Sequence, residues 1–270
     1  MDPQVKNKIG LEAEFLLRKN GALVFPHEYG FDTDDYLILG EIRGEPGENT
    51  SKTVTNFLEK WYEVLEKAKE KNLEIDISGI AEIKPDFKRK ILQEMGEKYF
   101  SDIKNVYGTE ILELTDDTFD KNGNLIFSKI STGLHIHFSS EKYLEVIHKG
   151  NKYGYQQVNI PINSGENLPK MEMEVFLRKE CNHEDTFTHT LSISRITKPV
   201  VFYFIKQLDN YLLPEYLEEE LLYLKYRKPG YYEKKYYGFE YRSLPFTQKV
   251  LENILEITKF SFKLLEDLDF

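Results

Sequence analysis

Gly133-Leu134-His135-Ile136-His137-Phe138-Ser139 alternates without interruption: Leu134, Ile136 and Phe138 fall on one side, His135, His137 and Ser139 on the other. A period of two is a strand, and a strand with one apolar and one polar face lies in a sheet that covers a core on the apolar side. The same arrangement recurs near the start of the chain. Ile9, Leu11, Ala13, Phe15 and Leu17 oppose Gly10, Glu12 and Glu14. It returns at Gly238-Phe239-Glu240-Tyr241-Arg242, where Glu240 and Arg242 share a face, and at Tyr36 to Arg43, where Glu41 and Arg43 do. Four strands thus present one apolar face and one face of Glu, His and Arg.

Between these strands the period changes. Lys19-Asn20-Gly21 reads as a hairpin turn into Ala22 to Phe25, and Gly44-Glu45-Pro46-Gly47 closes the strand that ends at Arg43. Val54, Phe57, Leu58, Trp61, Leu65 and Ala68 recur at helical spacing and predict a helix from about Thr50 to Lys71, with Thr50 or Ser51 as its cap. Leu73 to Ile83 reads as one strand, and Pro85 opens a helix to about Met95. A hairpin is expected around Asp120 to Asn124 and an alternating strand at Met171 to Arg178. Helices are expected at Thr197 to Tyr211, Pro214 to Leu224 and Gln248 to Leu268. Residues 141–195 are the least readable part and the place where an insertion would sit. The sum is an α+β chain, a single domain over 1–270 with antiparallel turn signals and helices on one face of the sheet.

Composition narrows the function. The 270 residues carry 36 Lys+Arg against 46 Asp+Glu, a formal charge of −10, which argues against non-specific nucleic-acid binding. The longest wholly apolar run, Val200 to Ile205, is far short of the roughly 20 residues a spanning helix needs, so no membrane partner is expected. Met1-Asp2-Pro3-Gln4 lacks the basic and apolar regions of a secretory signal, and a single cysteine, Cys181, allows no internal disulfide. A cytoplasmic location is the expectation. Nothing sets an oligomeric state.

The polar faces carry the chemistry. Glu12 and Glu14 leave one face of their strand, and two like charges side by side repel unless a cation lies between them. His135 and His137 can likewise reach one site as ligands or proton carriers. Glu240 and Arg242 offer either a pair across the sheet or a ligand and an anion clamp. Each motif is also what a solvated sheet face shows, and Glu172 and Glu174, opposite Met171, Met173 and Val175, fit an amphipathic outer strand. Taken jointly, carboxylates with imidazole suit Mg²⁺ or Mn²⁺, and arginines beside such ions suggest phosphoryl transfer.

In this order, Gly10-Leu11-Glu12-Ala13-Glu14, Gly133 to Ser139, and Glu240-Tyr241-Arg242 resemble the motifs of the glutamine synthetase-like carboxylate–amine ligases. The run Arg227 to Pro245 and Gly40-Glu41-Ile42-Arg43-Gly44-Glu45-Pro46 are most similar to the small phage-encoded amidoligases of that group, so the resemblance spans residues 10 to 245. It implies a curved antiparallel sheet, like the glutamine synthetase catalytic domain, that binds ATP with Mg²⁺ (or Mn²⁺). It implies activation of a small-molecule or peptide carboxylate as an acyl phosphate, which an amine substrate attacks. It further implies Glu12, Glu14, Glu41, His135 and Glu240 as metal ligands, and Arg242, Arg43 and His137 as catalytic groups. Arg242, Arg227, Lys234 and Ser139 would then be the nucleotide contacts, and the host cytoplasm the location if phage-encoded. Those enzymes often carry an arginine where this chain has Glu233, with Lys234, Lys235 or Arg227 as its replacement. The rival readings are a guanidino- or carboxylate-kinase-like phosphotransferase on the same fold, a non-catalytic binding module, and a cupin-like metal protein. The last rests on His135-x-His137-x-x-x-Glu141.

Overall fold

The computed structural model describes residues 4–33, 38–84, 86–87, 90–91, 93–94, 129–149, 157–162, 171–181, 186–194, 198–217, 229–235 and 238–267. The chain begins with β1 (Gln4–Lys19), β2 (Ala22–Val24), a single 3₁₀ turn at Pro26–Tyr29, β3 (Gly40–Arg43) and α1 (Thr50–Glu70). There follow β4 (Glu74–Asp76), β5 (Ile80–Glu82), β6 (Lys129–Ser131), β7 (Gly133–Lys149), β8 (Gln157–Ile162), β9 (Met171–Cys181) and β10 (Thr186–Ser194). The last elements are α2 (Lys198–Tyr216), β11 (Tyr232–Lys235), β12 (Gly238–Pro245), α3 (Gln248–Glu252) and α4 (Ile254–Glu266).

Ten of these strands form one sheet, and every described pairing is antiparallel. The long strand β7 organises it. Its first half is flanked by β1 on one edge and β12 on the other, giving the local order β3-β1-β7-β12-β11. Its second half pairs with β10, which continues the sheet through β9 to β8, so the strands within 141–195 belong to this same sheet. The mixed α and β composition and the antiparallel sheet are as the alternation predicts.

The apolar sides of β1, β3, β7 and β12 meet α1, α2, α3 and α4 in one large core. Ile9, Leu11, Ala13, Phe15, Leu134, Ile136, Phe138, Phe239 and Tyr241 are all buried there. Phe138 and Phe239, directly paired in register, stack at 4.8 Å, and Phe204 of α2 meets both edge-on. The Tyr241 hydroxyl donates to Asp209 Oδ1 of α2 at 2.8 Å, which satisfies the polar end of a buried ring.

Several boundaries differ from the periodicity. Asn49, rather than Thr50 or Ser51, caps α1, its Oδ1 accepting the Lys52 N–H at 2.9 Å. The expected strand Leu73 to Ile83 is two, β4 on β1 and β5 on β6, parted at Gly79, whose φ of 81° only glycine adopts readily. The helix expected to end at Tyr211 runs on to Tyr216, so Pro214 falls in the last turn of α2, where Leu212 and Leu213 are buried; residues 218–224 of the helix expected from Pro214 lie outside the described residues. The C-terminal helix breaks at Asn253, whose side chain donates to the Lys249 carbonyl. Of the strand expected from Tyr36 to Arg43, residues 36 and 37 lie outside the described residues, Gly40–Arg43 pairs with β1, and Ile38 and Leu39 turn into a second, smaller core. That core (Leu16, Phe25, Ala81, Ile83, Phe87, Ile91 and Ile130 among its members) packs beside the polar face of β1, so the face opposite the helices is itself partly covered. The hairpin expected at Asp120 to Asn124 lies outside the described residues. No described helix is long and apolar enough to cross a membrane.

The loop after β3 sets where the acidic strands begin. Gly47 exchanges two backbone hydrogen bonds with Ile9, and its α-carbon faces the first turn of α1. A Cβ there would come within 2.5 Å of Thr53 N and Oγ1. Gly47→Ala is therefore expected to cost about 1–3 kcal/mol by overpacking against backbone, lowering the melting temperature by about 2–4 °C per kcal/mol. An unchanged thermal melt would show that α1 yields freely at this point.

Candidate metal centre

Antiparallel register places directly opposed residues on the same face. Glu12 opposes Arg43 on β3 and His135 on β7, Glu14 opposes Glu41, and His137 opposes Glu240. Glu240 in turn opposes Glu233 on β11. The register alone thus draws residues from five neighbouring strands into one row of charge on the face away from the main core.

Arg242 needs a further device. Between Tyr241 and Leu244 the register with β7 slips by one residue, so β12 carries a bulge at Arg242 and Ser243. The bulge turns both Tyr241 and Leu244 into the core. It leaves Arg242 with its Nη1 3.3 Å from Glu240 Oε1 and its guanidinium 5.9 Å from the Tyr231 ring centre.

The centre of the row is tightly packed. His135 Nδ1 lies 3.1 Å from Glu12 Oε1 and 2.9 Å from Glu240 Oε1, and its Nε2 is 3.6 Å from Glu14 Oε1. His137 Nε2 is 3.4 Å from Glu12 Oε2. Arg43 donates to Glu41 at 2.9 and 2.7 Å and to Glu12 at 3.2 Å. Glu14, Glu41, His135 and Glu240 are buried, which is unusual for so many ionisable groups in one place.

Burial shapes their titration. It acts to raise Glu12, but hydrogen bonds to His135, His137 and Glu41 hold that carboxyl far below the ordinary range. Burial and the adjacent Glu12 carboxylate push Glu41 up to about 9, against the pull of Arg43. Burial would raise Glu240 too, yet His135 and the Arg242 charge hold it well down. Burial and Arg242 oppose protonation of His135, but Glu14, Glu12 and Glu240 outweigh them and raise it. The groups of this face thus shift one another: Glu41 resists ionising beside Glu12, and His135 gains proton affinity from its three carboxylate neighbours. Clustered carboxylates and an imidazole couple in this way because the charge on each changes the cost of charging the next.

Among the described residues, Glu12, His135 and Glu240 form the group whose ligand atoms all lie within 4.8 Å of one another. Adjacent ligands of an octahedral Mg²⁺, each about 2.1 Å from the ion, stand about 3 Å apart. The separations of His135 Nδ1 from the two carboxylates match that spacing, and the donor set of two oxygens and one nitrogen fits Mg²⁺ or Mn²⁺. Glu14 adjoins through His135, and Glu41 is held one strand out by Arg43.

The remaining sequence-predicted residues are placed as follows. Ser139 is paired with Gly238, two positions beyond His137 on β7. Lys234 has only its backbone described and pairs with Phe239, so it falls between the positions of Glu233 and Lys235. Arg227 lies outside the described residues. The lysine that reaches the row is Lys235, whose Nζ is 2.9 Å from Glu240 Oε2 and 2.8 Å from Glu233 Oε1. The alternation Tyr232-Glu233-Lys234-Lys235 carries that placement, but only if β11 is recognised as a strand. Beside the edge strand β3, a cavity of about 260 Å³ is lined by Phe15, Phe31, Asp32, Glu41, Arg43 and Lys60, among others. No protein-family model matches the sequence, and neither does any curated protein or solved structure.

Proposed function

We propose that this chain is an ATP- and Mg²⁺-dependent carboxylate–amine ligase built on a glutamine synthetase-like sheet. The observation that carries the reading is the convergence of Glu12, His135 and Glu240, from three different strands, with Arg43 and Arg242 at the two sides. A solvated sheet face gives no reason for these groups to be buried together. A cupin-like centre requires Glu12 and Glu240 to be incidental, whereas both contact His135.

Glu12, His135 and Glu240, with Glu14 beside them, would hold a divalent cation, which when bound neutralises phosphate oxygens and polarises the transferring group. The chain's own residues supply the rest. Arg242 offers its guanidinium to phosphoryl oxygens in a planar, two-pronged geometry, and Arg43 offers a second on the opposite side. The buried floor of the row excludes water, which favours amine attack over hydrolysis. The carboxylate oxygen of one substrate bonds to the γ-phosphorus as ADP leaves. The amine nitrogen of the other then bonds to the acyl carbon as phosphate leaves, giving up a proton that His137 is placed to accept.

The direct test is incubation with ATP, Mg²⁺ and pooled small-molecule and peptide carboxylates and amines, followed by mass analysis. ADP together with a product of condensation mass supports the ligase. ADP with a phosphorylated acceptor alone assigns a phosphotransferase. A separate expectation concerns the nucleotide: a triphosphate entering a face rich in carboxylates is repelled unless a cation bridges them. Calorimetry should therefore find ATP binding in Mg²⁺ and little in EDTA, and equal affinity in both would overturn the metal-bridged site.

A further inference from the structure

The outer side of the row contains a closed circuit of four charges. Glu233 Oε1 meets Lys235 Nζ at 2.8 Å, and Glu233 Oε2 meets Arg242 Nη1 at 3.0 Å. The same two cations meet the two oxygens of Glu240 at 2.9 and 3.3 Å. Both carboxylates therefore bridge both cations, but they differ in setting. Glu240 is buried at the floor, whereas the Glu233 side chain is 50% exposed. Lys235 and Arg242, at 27% and 19%, are held between them.

From this geometry we infer that Lys235 and Arg242 form a two-pronged oxyanion subsite whose mouth is occupied by the chain's own Glu233. The carboxylate places one oxygen on each cation, as a phosphoryl group or a substrate carboxylate would, and so acts as an internal competitor for that position. Glu240 cannot play this part, because it is buried beneath the pair and is a candidate metal ligand. Glu233 can leave: its partners are shared with Glu240, its side chain faces solvent, and an exposed ion pair contributes little. An incoming anion with more than one negative charge displaces it by filling the same two contacts with a stronger field. This makes Lys235 an anion-contacting residue and Glu233 a selectivity gate against weakly charged anions. The subsite rests on the ligase reading only for the identity of the anion, which there would be a phosphoryl group of the nucleotide.

The test uses anion binding in Mg²⁺ with neither nucleotide nor amine present, so no turnover occurs and it stands or falls apart from ligase activity. The full chain, Glu233→Gln, Glu233→Ala and the double variant Glu233→Gln/Lys235→Gln are titrated with pyrophosphate by calorimetry, with glutarate as the carboxylate arm. Removing the internal competitor should tighten pyrophosphate binding about tenfold in both single variants, the effect of deleting two exposed ion pairs and a like charge. The double variant should lose that gain. Glutarate tightening as much as pyrophosphate would mark the subsite as one for substrate carboxylates instead of phosphoryl groups. Unchanged or weaker pyrophosphate binding in Glu233→Gln and Glu233→Ala, with melting temperatures close to the parent, overturns the gate. A gain that survives loss of Lys235 overturns the lysine's part in it.

Discussion

Arg242→Lys should abolish most amide formation while leaving metal and ATP binding close to the parent. Lysine keeps the charge and can still reach Glu240 or Glu233, but it cannot reproduce the parallel N–H pair of a guanidinium on two phosphoryl oxygens. An interaction realised mainly in the transition state lowers turnover more than it weakens substrate binding. Loss of one such pre-set donor typically costs about 10²–10³ in turnover. The structural alternative is that Arg242, whose Nη1 is 3.3 Å from Glu240, serves only to neutralise that buried carboxylate and to anchor the bulge, tasks an ammonium in its place performs almost as well. Steady-state assays that find Arg242→Lys within a few-fold of the parent would decide for that alternative.

Glu12→Gln is expected to lower Mn²⁺ affinity by at least about 10–100-fold, since changes one shell further out already cost that much. Glu12 is the better choice for this test than Glu240. It stands between His135, His137 and Arg43, and its loss leaves Glu41 as a counter-charge for Arg43. Removing the Glu240 charge instead takes one of two carboxylate partners from each of Lys235 and Arg242 and a third from His135 at the buried floor of the row, and breaking a buried pair costs about 3–5 kcal/mol. Weak binding by that variant would be confounded with unfolding. Electron paramagnetic resonance of free Mn²⁺ gives the affinity directly. A value for Glu12→Gln within about threefold of the parent would place the ion elsewhere on the row, with the 10-fold lower bound above as the margin.

The two experiments probe opposite sides of one arrangement. Arg43 and Arg242 each lie on a carboxylate that the metal reading assigns as a ligand or its neighbour. Filling the centre with a cation weakens the attraction of those carboxylates for the arginines and frees guanidinium donors for an anion. Metal and phosphate binding are therefore expected to reinforce each other. The raised carboxyl of Glu41 fits the same logic, since a proton there does part of the neutralising that a cation would do.

Much of this could be read from residue order, and for a specific reason. Which face a side chain takes within a strand depends only on the alternation of its own neighbours. Leu11, Ala13, Leu134, Ile136, Phe239 and Tyr241 were thus assignable to the core, and Glu12, Glu14, His135, His137 and Glu240 to the other face, before any pairing was known. The hairpin at Asn20-Gly21 is likewise local: both residues hold positive φ, 53° and 74°, as the Asn-Gly pair predicts. Local signals failed where a distant partner decides. Ile38 and Leu39 leave the strand pattern because a second core is there to receive them, whereas the cap of α1 at Asn49 in place of Thr50 or Ser51 is a choice among adjacent local candidates.

What residue order determined about this protein is therefore an α+β chain whose strands carry acid, imidazole and guanidinium on one face. Tertiary structure alone decided that those groups meet. Glu12 and His135 are 123 positions apart, and only the register of β1 on β7 makes them neighbours. The slip in register between Tyr241 and Leu244, which aims Arg242, has no local signature, and the alternation that sets Lys235 apart from Lys234 brings it to Glu240 only through the pairing of β11 on β12. Alternation is set by the chemistry of a single strand, but register is set by the packing of several strands at once.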